Sequence, residues 1–370
     1  MANVTSVISR AIRERVSWNR IGIAISILIV VIAVAILTQL LHDIEFDKVG
    51  AALRAKSAQD IIIAGVFVAI AYIALTFYDF FALRTIGRDA VPYRVAAFTG
   101  FTSYTIGHNL GATVLTAGAI RLRIYSAWGL GIIDIAKIAF VTGLTFWLGN
   151  AFVLGCGMAY APDAASAVNQ LPPWINRAIG VCGLLIILAY LLWLRPRPRS
   201  IGWSSWRIVL PNPRSTLVQI GIGVLDLSAG AIAMYFLLPA YPAVDFITLL
   251  VVFVTAILYG FASHAPGSLG VIEVAMLVGL PQFPKEELLA SLLIFRFVYF
   301  VLPLSLAALL LGLRELLLLA RSASDLGDRD ARRRFWKIRS SERTRALWDC
   351  AWAGQRDRVR ERKRSETQSN

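Results

Sequence analysis

A chain of 370 residues that is 57% hydrophobic and 16% charged, with a mean hydropathy of +0.66, is too apolar for a water-soluble globule and reads as a polytopic membrane protein. Its formal charge of +14 gathers in the tails and in particular loops, which fits the positive-inside rule and anionic lipid and excludes a nucleic-acid partner. Cys156, Cys182 and Cys350 lie too far apart for a zinc site or a disulfide framework.

Residues 1–20 carry Arg10, Arg13, Arg15 and Arg20 against Glu14, with Trp18 placed as an interfacial anchor, so the N-terminus is expected in the cytoplasm. The apolar run 21–41 is too long for a signal peptide and no small-residue cleavage site follows it, which makes it span one. Residues 42–60 balance acids and bases as an outside loop. A second span at 61–83 returns to the basic Arg84, Arg88 and Arg94, and its Tyr72, Thr76 and Asp79 share one face that should look into the bundle.

The stretch 107–130, GHNLGATVLTAGAIRLRIYSAWGL, departs from a simple span. Its glycines should break a helix, and broken backbone survives at membrane depth only where protein or a watery cavity satisfies it. Parity fixes its path. Spans at 132–157 and 178–194 are followed by Arg195, Arg197, Arg199, Arg207 and Arg214 without an acid, a loop that belongs in the cytoplasm. Counting back places Arg121 and Arg123 on the cytoplasmic side, so residues 95–131 should form a re-entrant hairpin. Its descending arm, ending near Ile106, would reach about 18 Å, just past mid-membrane.

The second half repeats the pattern inverted. A span at 217–238 is followed by a helix at 246–261, a break at SHAPGSLG, a short helix at 271–280, and a last span at 288–313. If the tail is cytoplasmic, this hairpin opens outward. The expected fold is all-α, with six full spans and two oppositely oriented re-entrant hairpins, arranged as inverted halves 21–158 and 174–315 within a transmembrane domain 21–315. Residues 316–370 form a basic cytoplasmic tail whose Trp348 and Trp352 suit either an amphipathic segment on the inner leaflet or a solvated one.

At each tip the returning half-helix begins with N–H groups that can hold an anion. Gly267, Ser268, Leu269 and Gly270, facing Arg121 and Arg123 from the opposite side, describe a phosphate clamp. Intramembrane acids are functional candidates: Asp226, with Gln219, Gly223 and Gly230 on its face, and Glu273, which either meets a cationic group or pairs with Arg296. His108 and His264 stand beside the two breaks and suit either proton relay or structural hydrogen bonding. Asp134 and Lys137 read as an interfacial pair. There is no GxxxxGK[ST] loop, HExxH or GxSxG, so no cofactor or metal is expected and transport would be passive or ion-coupled.

GHNLG with AGAIRLRIYSAWGL, and SHAPGSLGVIE at 263–273, resemble the membrane region of bacterial lysylphosphatidylglycerol synthases, the multiple peptide resistance factor family, over residues 20–315. The resemblance implies a flippase-type domain in the bacterial inner membrane, acting on aminoacylated phosphatidylglycerol or a related phospholipid. It adds Asn109, Tyr125 and Pro266 to the residues of interest, beside His108, Arg121, Arg123, Gly267, Gly270 and Glu273. Ser268 stands where such proteins usually carry a second glycine. The soluble aminoacyl transferase domain of the synthases is expected to be missing, so no enzymatic activity is expected. A different class, a membrane scaffold or regulatory subunit contacting a lipid-modifying enzyme through the basic tail, is the alternative.

Overall fold

The computed structural model describes residues 46–110, 113–195, 199–202, 207–314, 316 and 317. The basic N-terminus, span one, Gly111, Arg197 and the aromatic tail lie outside the described residues. The chain divides into two compact units, Met1–Ala308 and Leu309–Asn370. The described residues of the second are helical.

The protein is an all-α polytopic membrane protein. Six described helices are long and apolar enough to cross a bilayer: Ala58–Thr85, Ile132–Tyr160, Pro173–Leu194, Pro213–Leu237, Phe246–Ser263 and Lys285–Arg314. Five are expected spans, and the sixth, Phe246–Ser263, is the arm expected in the second hairpin.

In chain order, α1 (Phe46–Ala55) lies where the sequence reads as a loop, and its Ala52 and Leu53 pack on Leu289 and Ala290. Helix α2 is Ala58–Thr85, its first turn capped by the Ser57 hydroxyl accepting from the Gln59 N–H at 3.2 Å. Helices α3 (Tyr93–Leu110) and α4 (Thr113–Tyr125) make the first hairpin. Then come α5 (Ile132–Tyr160), the short α6 (Pro162–Asn169) and α7 (Pro173–Leu194). A two-stranded ribbon, β1 (Ser200–Ile201) and β2 (Ile208–Val209), occupies the basic loop before α8 (Pro213–Leu237). The second hairpin is α9 (Phe246–Ser263), a 3-10 turn at Pro266–Ser268, and α10 (Val271–Gly279). Helix α11 (Lys285–Arg296) widens into a π-helical turn over Phe297–Val301.

Contacts at the helix ends establish where each hairpin opens. Arg88, just past α2, bonds Asp134 at the start of α5 at 2.8 Å, so the first hairpin begins and finishes at one end of the bundle. Ile208, before α8, packs there with Ala82, Leu83 and Ile135. This end carries Arg84, Arg88, Arg94, Arg195, Arg199, Arg207 and Arg214. At the other end Lys56, before α2, donates to the Leu238 carbonyl after α8 at 2.7 Å. A Cβ built on Gly279, closing α10, would lie 2.5 Å from Val252 early in α9 and 2.7 Å from Val168 of α6, so the second hairpin opens at this opposite end. The Asp134 partner is therefore Arg88 rather than Lys137.

The glycines break the first hairpin less than expected. Helix α3 runs through Gly107 to Leu110, 18 residues or about 27 Å, and Gly118 lies inside α4. A helical glycine costs about 1 kcal/mol, whereas each backbone group left unpaired in lipid costs several, so the helix continues.

The two halves meet where α5 crosses α8. A Cβ on Gly149 would fall 2.7 Å from the Gly223 Cα, and one on Gly223 would fall 2.8 Å from the Gly149 Cα, whereas one on Gly221 meets nothing within 4 Å. Gly221→Ala should therefore raise stability, by about 1 kcal/mol through helix propensity. Gly223→Ala should lower it by about 1–3 kcal/mol through overpacking. Thermal unfolding of the two purified variants in the same detergent tests this, and shifts of equal sign would refute the backbone-to-backbone crossing.

Candidate functional site

The interior of the bundle holds a chain of polar side chains from α2, α3, α4 and α8. Asp79 of α2 is fully buried, and Arg121 of α4 grips it with both faces of its fork: Nη2 to Oδ1 at 2.6 Å, and Nε to the two oxygens at 3.2 and 3.1 Å. The Tyr125 hydroxyl, one turn further along α4, donates to the same carboxylate at 2.9 Å. A charge-assisted bidentate pair of this kind is the stable way to hold both ions out of water. The Arg121 guanidinium lies 5.0 Å from the Tyr104 ring centroid on α3, and Tyr104 meets Tyr78 of α2 edge-on at 5.7 Å. The Tyr78 hydroxyl donates to Asp226 Oδ2 on α8 at 3.1 Å.

A second cluster closes the break of the second hairpin. Arg296 donates from Nε to Glu273 Oε1 at 2.7 Å, forms a further close contact to the same oxygen through Nη2, and donates from Nη1 to the Gly267 carbonyl at 2.8 Å. Glu273 Oε2 accepts from the Gly270 N–H at 2.9 Å, so this carboxylate caps the start of α10. The turn needs left-handed backbone at His264, Gly267, Ser268 and Gly270, with φ of 54, 58, 51 and 79 degrees. Ser268 thus adopts a conformation that favours glycine. It fits because Gly260 faces it, where a Cβ would stand 2.6 Å from its own.

The tips touch. A Cβ on Gly267 would lie 3.6 Å from Arg296 Nη1 and 3.9 Å from both the carbonyl and the Oδ1 of Asn109, whose Nδ2 donates to the Thr105 carbonyl at 2.8 Å. Helix α3 packs against the Pro266–Ser268 turn. On the α11 side, the Tyr72 hydroxyl donates to the carbonyl of Tyr299, within the π-helical turn, at 2.9 Å.

The structure redistributes the residues expected to hold phosphate. Arg121 and Arg123 do not converge: side chains two apart on one helix point away from each other, so Arg121 is buried on Asp79 while Arg123 is exposed. Arg296 is the cation at the second tip. The Gly270 N–H is taken by Glu273 and the Ser268 N–H by the Ala265 carbonyl at 2.9 Å. The two histidines differ: His108 packs on Tyr104 with centroids 5.8 Å apart, while His264 is exposed, its Nδ1 2.9 Å from the Ala262 carbonyl. Sequence reasoning missed Tyr78, Tyr104 and Tyr299 altogether, and placed Asp79 facing inward without finding its partner. An acid in mid-span was the available signal.

Two arginines and three acids occupy this interior. Asp79 and Glu273 each hold an arginine, whereas Asp226 has the Tyr78 hydroxyl and, among the described residues, no cation within ion-pair distance. Among the described residues, Asp226 is thus the interior carboxylate that no arginine holds.

No protein-family model matches the chain. It is 31% identical to the uncharacterized protein slr0712 of a Synechocystis strain over 81% of this chain and 95% of that one. The chain belongs to the same family as slr0712. It is also 27% identical to the inner membrane protein YbhN of Escherichia coli over 77% of its length and 87% of that protein. A shorter match, 30% over 92 residues, relates 24% of the chain to 11% of a phosphatidylglycerol lysyltransferase of Staphylococcus aureus.

Removing one partner of the α2–α4 pair strands the other. Asp79→Asn or Arg121→Gln alone should cost about 3–5 kcal/mol, while replacing both with Leu and Met should cost much less than the sum. Thermal stabilities of the two single variants and the double apolar variant provide the test, and additive losses would show that the pair is not coupled.

Proposed function

We propose that this chain moves a phospholipid between the leaflets of the bacterial inner membrane, with aminoacylated phosphatidylglycerol or a related lipid as its substrate class. The observation that carries this reading is the meeting of two oppositely opening hairpins at Asn109 and Gly267, beside the Arg296–Glu273 pair. Discontinuous helices meeting inside an inverted arrangement are how transporters build a substrate site away from water. The partial match to a phosphatidylglycerol lysyltransferase supports the choice of lipid, and the similarity to YbhN supports the inner membrane.

In this reading the internal ion pair stands in for the headgroup. A buried charge keeps its low cost only while it has a partner, so a phosphate reaching Arg296 and an ammonium reaching Glu273 exchange one pairing for another. Asp226 offers a second acceptor for the ammonium or a carrier for a coupling proton. A lysylated lipid has net charge +1, and moving it outward against an inside-negative potential costs about 2.3 kcal/mol per 100 mV. Synthesis on the inner leaflet or inward proton movement would offset that. The arginine-rich end then faces the cytoplasm, as the positive-inside rule requires. The scaffold reading, a non-transporting subunit beside a lipid-modifying enzyme, is favoured only by the activity named for the lysyltransferase relative.

In liposomes holding matched amounts of protein, an impermeant amine reagent reports outer-leaflet lysyl and alanyl lipid, and a labelled analogue reports unmodified phosphatidylglycerol. The wild type should flip all three. Glu273→Gln and Asp226→Asn should slow the aminoacylated lipids by about tenfold or more and spare the unmodified one, a charge-assisted bond being worth about 1.5–3 kcal/mol. Equal losses for all lipids would make Glu273 a structural cap for α10, and no flipping by the wild type would favour the scaffold.

Orientation has its own test in a cysteine-free background. Asp163→Cys and Asp245→Cys, both at exposed positions of the end opposite the arginines, the acidic end that also carries Asp60, Glu286 and Glu287, should react with an impermeant maleimide in whole spheroplasts. Ser126→Cys and Ser200→Cys, exposed at the arginine-rich end, should react only after permeabilisation. The reverse pattern would invert the topology.

A further inference from the structure

Away from the interior cluster, the acidic end holds a cavity of about 960 Å³. Its walls come from α1, the start of α2, the α8–α9 turn and the α10–α11 turn, so both halves of the chain contribute. The volume suits a headgroup-sized molecule. The lining combines apolar residues, Ala51, Ala55 and Leu238 among them, with the charged Lys56, Asp60, Glu286 and Glu287.

Lys56 is half-buried, and its ammonium donates to the Leu238 carbonyl at 2.7 Å, which leaves two of its three donors for other acceptors. Burial lowers its pKa, with Asp60 and Glu287 opposing that shift. Among the described residues, Asp60, Glu286 and Glu287 form no ion pair with it or with another cation. A cavity whose cation and acids line the same space without closing on one another has complementary positions for a ligand of mixed charge. The acids outnumber the lysine, so the match is to a molecule carrying more ammonium than anion.

We infer that this cavity is a second binding site, for a headgroup-sized amphoteric ligand whose ammonium groups meet Asp60, Glu286 and Glu287 and whose phosphate or ester oxygens meet Lys56. An aminoacylated lipid headgroup and a free cationic amino-acid ester share that chemistry. The lipid source rests on the transport reading above, while the cavity's chemistry does not.

The test uses full-length protein in phosphatidylglycerol nanodiscs, with and without lysylphosphatidylglycerol, and with lysine ethyl ester or glycerol 3-phosphate as soluble probes. Ligand binding is read as protection of Lys56 from acetylation, by mass spectrometry, and as a dissociation constant by calorimetry for the soluble probes. The inference expects protection by lysylphosphatidylglycerol, by lysine ethyl ester, or by both, and no protection by glycerol 3-phosphate. Protection by the lipid alone assigns a membrane-presented headgroup, and protection by the soluble probe alone assigns a free molecule. The double variant Glu286→Gln, Glu287→Gln should weaken the protecting ligand about tenfold while its unliganded melting temperature stays unchanged. Protection by neither ligand, equal protection by glycerol 3-phosphate, or full binding by the double variant would overturn the inference. Because binding is read without transport, binding in a protein that does not flip lipid leaves this site standing and removes only the transport reading. Flipping by a protein with an unprotected Lys56 does the opposite.

Discussion

Inside a bilayer, a polar group that the chain does not satisfy has no water to turn to, and the organisation of this protein follows from that constraint. Two helical arms stop inside the bundle, and each stop is closed by side chains from elsewhere. The second break is held by Arg296, which joins Glu273 at the start of α10 to the Gly267 carbonyl on the turn before it. The first hairpin is tied to α2 by the fork of Arg121 on Asp79 and the hydroxyl of Tyr125. Helix breaks and buried charges, each unfavourable alone, thus satisfy one another.

The same closure separates two kinds of acid. Asp79 is saturated by three donor atoms and belongs to the scaffold that fixes α4 against α2. Asp226 has one phenol, and Glu273 divides its oxygens between an arginine and a backbone N–H. Glu273 thus meets three donor atoms as Asp79 does, and disturbing either leaves an arginine without its partner, whereas Asp226 has lone pairs to spare. Among the described residues, two of the three interior carboxylates are therefore committed to arginines and the third is not.

Much of this was legible in the residues. Runs of apolar sequence mark the spans, and the arginines at 84–94 and 195–214 force residues 95–131 back to the side they left. The second break is written in SHAPGSLG, because a proline followed by two glycines within four residues works against a helix. The length of the first arm was not legible: glycine count alone suggested a break that the cost of unpaired backbone in lipid forbids. Glu273 with Arg296 could be foreseen as two intramembrane charges in one half. Asp79 with Arg121 could not, since 42 residues and the whole of α3 separate them and only the folded hairpin brings them together. The divergence of Arg121 and Arg123 was readable from their spacing on a helix.

The arm lengths carry a consequence for the surrounding lipid. Helices α3 and α9 each run 18 residues, about 27 Å, and start from opposite ends before meeting at Asn109 and the Pro266–Ser268 turn. Laid end to end they exceed the roughly 40–45 Å from one headgroup layer to the other, so they lean rather than stand upright. Apolar length in excess of the bilayer is accommodated by tilting, at a cost of fractions of a kcal/mol per ångström, so the slant of the two arms lets a pair this long fit without stretching the lipid beside it.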